Sequence, residues 1–262
     1  MEAIKQFLKS KGRTEATAKS YSSVIAKFKN KLGDKFTEEQ LEEQFTILNL
    51  KPRTYNNYRT IMNFFCKEFL DYKLTFTKAK VPDSLPTFVS FNEIIDVMRT
   101  IPNLKHKLII SLMYGSGLRV SEVCKIKRYN VYPDELKLFV EEGKGMKDRW
   151  TIIKPRTALV LKRFMIEVEK QDRENPHLFQ TYRGHISERS IQERLKKAIN
   201  DSQIQKYFTC HDLRHSFAIN FLNKTNDLDT LKDLLGHKDI RTTQIYTRCR
   251  TTDLTALALE VG

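Results

Sequence analysis

The chain has 262 residues, room for one large domain or two modest ones. Hydrophobic residues make up 40% and charged residues 30%, while glycine (9) and proline (7) are scarce, which excludes disordered, collagen-like and low-complexity architectures. Lysine and arginine total 46 against 32 aspartates and glutamates, a formal charge of +14, and such an excess suits a polyanion, because neutralising phosphates releases counterions. The excess is not confined to a tail. Residues 1–82 carry 16 basic and 9 acidic side chains and residues 83–262 carry 30 and 23, so a surplus of seven falls on each part. The best apolar run, Leu108–Tyr114, is far short of the roughly 18 residues a membrane span needs. The amino terminus lacks an apolar stretch of signal-peptide length, so the expectation is a cytoplasmic chain with no membrane partner. Cys66, Cys124, Cys210 and Cys249 are far apart, with no C-x-x-C spacing, so free thiols are expected and a zinc or iron–sulfur site is not.

In chain order, residues 1–78 read as a helical bundle. Tyr21, Val24, Ile25, Phe28 and Leu32 fall on one helical face, Thr37–Gln40 is a capping-box signature, and Tyr58, Ile61, Met62, Phe65 and Phe69 make a further stripe. Lys27, Lys51, Arg53 and Arg59 lie between the stripes as candidate DNA contacts. Residues 79–89 carry Pro82 and Pro86 without apolar periodicity and read as a linker. A second domain, 90–250, opens on the capping box Ser90–Glu93. A helix over Leu104–Tyr114 should stop at Gly115 and Gly117. Two β-rich runs within Leu136–Lys154, separated by Gly143-Lys144-Gly145, predict a short antiparallel hairpin or meander. Helices are expected over Thr157–Lys170, Ile191–Ile199, Cys210–Leu222 and Asp229–Leu235. The fold class is therefore mainly α with a small antiparallel β-sheet (α+β).

Four local features bear on chemistry. In Gly115–Val123, Arg119 opens a helix with Glu122 one turn on. In Glu142–Arg149, Lys144 sits at a projecting tip beside Lys147 and Arg149. In Thr209–His215, Thr209 and Asp212 can form a capping box, placing His211 and Arg214 on one face near the positive end of the helix, a good place for a phosphate. In Leu234–Tyr246, Gly236 reads as a helix C′ residue presenting His237, with Arg241 and Tyr246 beyond. Alone, each has an ordinary reading: a capped helix with a surface Arg–Glu pair, a basic turn, a structural His–Arg pair, a buried aromatic.

In this order, Arg119, Lys144, His211-x-x-Arg214, His237 and Tyr246, the sequence resembles the tyrosine recombinase (integrase) family, most closely its simple Xer-type members. The resemblance covers essentially the whole chain. It implies a two-domain clamp on double-stranded DNA, with a helical SAM-like core-binding domain over 1–78 and a catalytic domain over 90–250. It implies that Arg119 and Arg214 clamp the scissile phosphate, with His237 donating to it. Tyr246 would form a 3′-phosphotyrosyl intermediate, Lys144 would protonate the leaving 5′-oxygen, His211 would assist as base or donor, and Glu122 would orient its neighbours. Lys147, Arg149 and Arg241 would join the DNA contacts. No cofactor or metal is expected, because the ester bond is conserved and the chain has neither a P-loop nor a clustered acidic site. Leu254, Leu257, Ala258 and Val261 form a stripe in the tail, 251–262, which would pack on the neighbouring subunit of a tetramer holding two recombination sites. A DNA translocase or accessory protein is a further implied partner. The implied role is resolution of chromosome dimers. The integrase of a virus, plasmid or mobile element is the same-class alternative. A type IB topoisomerase and an idle DNA-binding protein are the rivals from other classes. The chain departs from the family pattern at Arg248, where a histidine is common after Tyr-Thr, and near Asn130, where an aspartate is common.

Overall fold

The computed structural model describes residues 2–82, 86–141, 148–182, 184–237 and 239–247. Lys144, Lys147, Cys249 and the tail lie outside them, as does the side chain of Arg241. The chain divides into two compact units, residues 1–84 and 85–262. Among the described residues the fold is mainly helical with small antiparallel sheets, and no helix is long and apolar enough to cross a membrane.

The first unit has four helices, α1 (Glu2–Ser10), α2 (Glu15–Leu32), α3 (Glu38–Leu48) and α4 (Pro52–Phe69). The capping box at Thr37 forms as read: Gln40 N donates to Thr37 Oγ1 (3.3 Å) and Thr37 N to Gln40 Oε1 (3.0 Å). The α2 and α4 stripes bury Val24, Ile25, Phe28, Ile61, Met62 and Phe65 in one core. Phe69, the last member of its stripe, is 40% exposed and instead packs its ring on Phe7 and Phe65.

The helical reading of residues 1–78 runs too far. After α4 the chain continues as an extended strap, pinned back by three side chains along one face of α4. Asn63 Oδ1 accepts from Leu74 N (2.9 Å), Arg59 Nε donates to Phe76 O (2.5 Å), and Asn56 makes two 2.8 Å bonds to the backbone of Ala79. Glu38 accepts from the Phe76 N–H (3.2 Å) on the opposite side. Arg59, expected as a DNA contact, is thus a part-buried strut of this unit. Its guanidinium satisfies carbonyls that a non-helical backbone leaves open, and it lies over the Phe76 ring.

The second unit opens on α5 (Phe91–Arg99), whose capping box also forms. α6 (Leu104–Ser116) continues through Gly115 and stops only at Gly117, in the left-handed region. α7 (Val120–Lys125) and a single 3₁₀ turn (Arg128–Asn130) follow. β1 (Val131–Tyr132), β2 (Lys137–Val140) and β3 (Arg149–Ile152) form the expected meander, with Val131 opposite Leu138 and Phe139 opposite Trp150. α8 (Pro155–Gln171) starts with proline in its first turn, where no N–H partner is needed. A small unpredicted hairpin, β4 (Gln180–Thr181) and β5 (Gly184–His185), precedes α9 (Glu188–Asp201). α10 (Cys210–Thr225) packs against α6 and against α11 (Leu228–Leu235), and a short α12 (Arg241–Gln244) ends the described chain. Cys66, Cys124 and Cys210 are buried free thiols, and burial pushes Cys124 up to about 12 and Cys210 up to about 11, so both are inert at neutral pH.

Candidate functional site

The site is built where helix ends meet. α6 ends at Gly117 (φ 68°) and α11 at Gly236 (φ 65°), and such ends leave carbonyl oxygens without helical partners. Both ends aim carbonyls at one buried cation: Arg214 Nη1 donates to Gly117 O (2.8 Å) and Nη2 to Leu235 O (2.6 Å). Arg214 is 1% exposed. Burying a guanidinium is costly unless its protons are bonded, and the negative ends of two helices supply part of what water would have given. Burial, with the charge of Arg119, presses Arg214 down to about 9 while Glu122 acts the other way, so it stays charged at neutral pH. Both glycines are required for space as well as for φ. A Cβ at Gly117 would fall 2.4 Å from Phe217 Cδ1, and one at Gly236 would fall 2.7 Å from Arg149 Cδ.

Glu122 is the anion of the cluster. It lies one turn after Arg119, the N-cap of α7, and reaches back to accept from Arg119 N (2.8 Å) and Arg119 Nη1 (2.8 Å). Arg149 sends both ends of its fork to the same carboxylate, Nη1 to Oε1 (2.9 Å) and Nη2 to Oε2 (2.8 Å), and Nε to Leu234 O (2.8 Å). Arg214 Nη1 stands 3.6 Å from Oε2. Burial alone would raise the Glu122 carboxyl, but the hydrogen bonds and charge of Arg149, the Arg119 N–H and the charge of Arg214 overcome it and hold it at about 2. Three guanidinium groups thus share one carboxylate, a local surplus of positive charge. Arg119 is the most accessible of the three, its side chain 28% exposed against 6% and 1% for Arg149 and Arg214.

Arg149 was expected among the DNA contacts. It is instead buried on Glu122, because alternation along β3 turns Arg149 and Thr151 inward and Trp150 and Ile152 outward. Lys27, Lys51 and Arg53 are exposed on the first unit.

His237 follows Gly236 and meets Arg214: Arg214 Nη2 donates to His237 Nε2 (3.1 Å). A guanidinium has no acceptor, so Nε2 is the bare nitrogen, and Nδ1–H donates to Thr243 Oγ1 (2.9 Å). Burial and the charges of Arg214, Arg119 and Arg149 lower His237 to about 4. Thr243 is fully buried in α12. Tyr246 lies just past α12 rather than within a helix. It is 2% exposed, in a small core with Phe217, Leu231 and Leu235. Its hydroxyl shares a 2.8 Å hydrogen bond with His215 Nδ1. His211, one turn before His215, sets its ring edge-on to that of His215 (centroids 4.4 Å apart). It lines a 440 Å³ cavity together with Arg119, Ser121, Gln192, Lys196 and Tyr207. The capping box at the start of α10 forms through Asp212, which accepts from Thr209 N and Oγ1 at 2.7 Å each.

Of the residues singled out in the sequence, Arg119, Glu122, Arg214 and His237 are joined by hydrogen bonds or ion pairs, and His211 and Tyr246 approach the cluster through α10. Thr243 and His215 carried no signal of their own. His215 is legible only in retrospect, as the i+4 neighbour of His211. The described residues contain no group of three metal-binding side chains. What they assemble is a cluster of three guanidinium groups on one carboxylate, in the same unit as a buried phenol.

Two outcomes test this geometry. Gly117→Ala should destabilise the second unit by about 2–4 kcal/mol in urea denaturation, from the left-handed φ and the overlap with Phe217; an unchanged midpoint contradicts the packing. Acid should destabilise the same unit in two stages. His215 and His237 are both held near 4 against an ordinary 6.5, so the unfolded chain takes up their protons first and stability falls as the pH drops from 6.5 towards 4. Glu122, held at about 2 against 4.5, adds a loss below 4.5. A melting temperature independent of pH between 7 and 5 contradicts the buried neutral histidines.

Residues 87–252 match the model of the phage integrase family. The chain is 30% identical to tyrosine recombinase XerA of Pyrococcus horikoshii, over 97% of this chain and 90% of that one. Among solved structures it is similar to the crystal structure of XerA recombinase, with 26% identity, a TM-score of 0.61, and 98% and 95% of the two chains covered. It shares its fold with XerH site-specific recombinase bound to palindromic difH substrate in a post-cleavage complex, at 22% identity and a TM-score of 0.75, with 93% and 79% covered. The chain belongs to the phage integrase family, the tyrosine recombinases, which are DNA strand-transferring enzymes.

Proposed function

We propose that this chain is a site-specific recombinase that cleaves and rejoins duplex DNA through a 3′-phosphotyrosyl intermediate and resolves chromosome dimers. The observation that carries the reading is the surplus of positive charge around Glu122 in the same unit as the Tyr246 phenol. A phosphodiester gathers negative charge as phosphorus becomes five-coordinate, and fixed guanidinium groups stabilise that charge without reorganising. Arg119 and Arg214 bind the non-bridging oxygens, and Glu122 with Arg149 holds them in place. His237 Nε2 becomes a donor once the anion is seated, because the charge of the phosphate offsets the arginine charges that, with burial, keep the ring from taking a second proton. Tyr246 attacks phosphorus, Lys144 protonates the departing 5′-oxygen, and His211 contacts the phosphate. The phosphotyrosine keeps the ester's free energy, so rejoining draws on no nucleotide.

The substrate is double-stranded DNA, held by a tetramer on two sites. Lys27, Lys51, Arg53, Lys147 and Arg241 contact its backbone, and residues 251–262 pack on the neighbouring subunit. The dimer-resolving role, served by a translocase or accessory protein, is supported by the likeness to a Xer recombinase over 97% of this chain. It separates from the mobile-element reading by substrate: a chromosomal segment cloned twice on one plasmid is recombined in the first case, and only element ends in the second.

The chemistry is tested with a nicked suicide duplex built on a sequence that the protein selects from random DNA. Wild type should accumulate a covalent adduct with EDTA present and Tyr246→Phe none, while Arg119→Ala and Arg214→Ala bind the duplex but cleave at least about 100-fold more slowly. An adduct formed by Tyr246→Phe overturns the reading.

A further inference from the structure

The hydroxyl of Tyr246 must lose a proton as its oxygen joins phosphorus, and the structure places a basic atom of α10 against it. His215 Nδ1 lies 2.8 Å from Tyr246 Oη, and the two rings are 5.5 Å apart. Both partners are sheltered: Tyr246 is 2% exposed and His215 is half-buried on α10. Among the described residues, the titratable and charged groups acting on His215 are His211, Asp212 and Arg214 from its own helix, with Tyr246 from the turn after α12. Burial, then His211, lowers His215 to about 4 despite Asp212, so the ring is neutral at physiological pH and has a lone pair to offer. His211, by contrast, lines the cavity that Arg119 also lines.

We infer that His215 is a catalytic residue that aims the Tyr246 phenol and takes up its proton, a role that rests on the reading of Tyr246 as nucleophile. In cleavage, the Oη–P bond forms and the P–O5′ bond breaks. The phenolic proton passes to His215 Nδ1, leaving an imidazolium whose other proton is on Nε2. The departing 5′-oxygen receives its proton from the separate acid, Lys144. In rejoining, the P–Oη bond breaks and the imidazolium returns its proton to Oη, while the incoming 5′-hydroxyl gives its own proton to the amine. Burial is the main cause that suppresses protonation of His215, with His211 and then Arg214 adding to it; a bound phosphoryl group offsets the Arg214 charge, so the base strengthens when the substrate is bound. The hydrogen bond also directs the phenolic proton along α10 and leaves the remaining lone pair of Oη for phosphorus.

The test is single-turnover adduct formation on two suicide duplexes, one with the natural 5′-oxygen and one with a 5′-bridging sulfur, which leaves without a proton. His215→Ala should lower the rate about 10²–10³-fold with DNA affinity unchanged. The sulfur duplex should restore Lys144→Ala but not His215→Ala. Installing 3,5-difluorotyrosine at position 246, whose phenol ionises more readily, should recover at least about tenfold of the His215→Ala loss. His215→Asn, which keeps a polar atom near the place of Nδ1 but cannot carry the proton, should show the same loss if the alanine variant does not fold. Near wild-type adduct formation by a folded His215 variant, or its rescue by the sulfur duplex, overturns the inference while the recombinase reading stands. Failure of wild type to form any adduct removes the recombinase reading itself.

Discussion

A single buried carboxylate organises this site. Glu122 accepts hydrogen bonds from Arg119 and Arg149 and lies within ion-pair distance of Arg214. Without it, three guanidinium groups from α7, β3 and α10 would repel one another in a poorly hydrated interior, where unpaired charge costs several kcal/mol per ion. With it, the three are held, yet one negative charge does not balance three positive ones. Among the described residues the cations of the cluster therefore outnumber the carboxylate that holds them. Pairing each arginine with its own acid would give a more stable protein and a poorer phosphate site.

The surrounding architecture serves this imbalance. The two glycine-terminated helices turn carbonyl oxygens inward, and these dipoles solvate Arg214 without neutralising it. A carboxylate in either place would hold the guanidinium equally well but cancel the charge. Burial, with the charges of the arginines, keeps His237 unprotonated. Thr243 and Tyr246 share the short α12 region, so the segment that fixes the His237 tautomer also carries the phenol.

What the sequence revealed follows interaction range. Capping boxes at Thr37, Ser90 and Thr209 were readable because donor and acceptor lie three residues apart. The Arg119–Glu122 pair was readable for the same reason. The apolar stripes of α2 and α4 located the first core, since a 3.6-residue period needs no knowledge of partners. The sequence offers Arg149 and Arg59 as DNA contacts and hides their partners, Glu122 and the strap backbone, which are set by strand pairing and by the path of the chain after α4. His215 lay within a quoted motif, yet its contact with Tyr246 spans 31 residues. Tyr246 itself was singled out by family resemblance; its burial and neighbours match those of an ordinary core aromatic.

The central claim is that the arginine surplus exists to meet the charge of one phosphate. It is tested most directly by comparing cleavage of a natural phosphodiester with cleavage of a methylphosphonate at the same position, in wild type and in Arg119→Ala. If the surplus acts on that charge, the loss caused by removing Arg119 shrinks at least about tenfold on the uncharged linkage. An equal loss on both linkages would mean that Arg119 serves the fold or general DNA affinity, and the account of the pocket would fail.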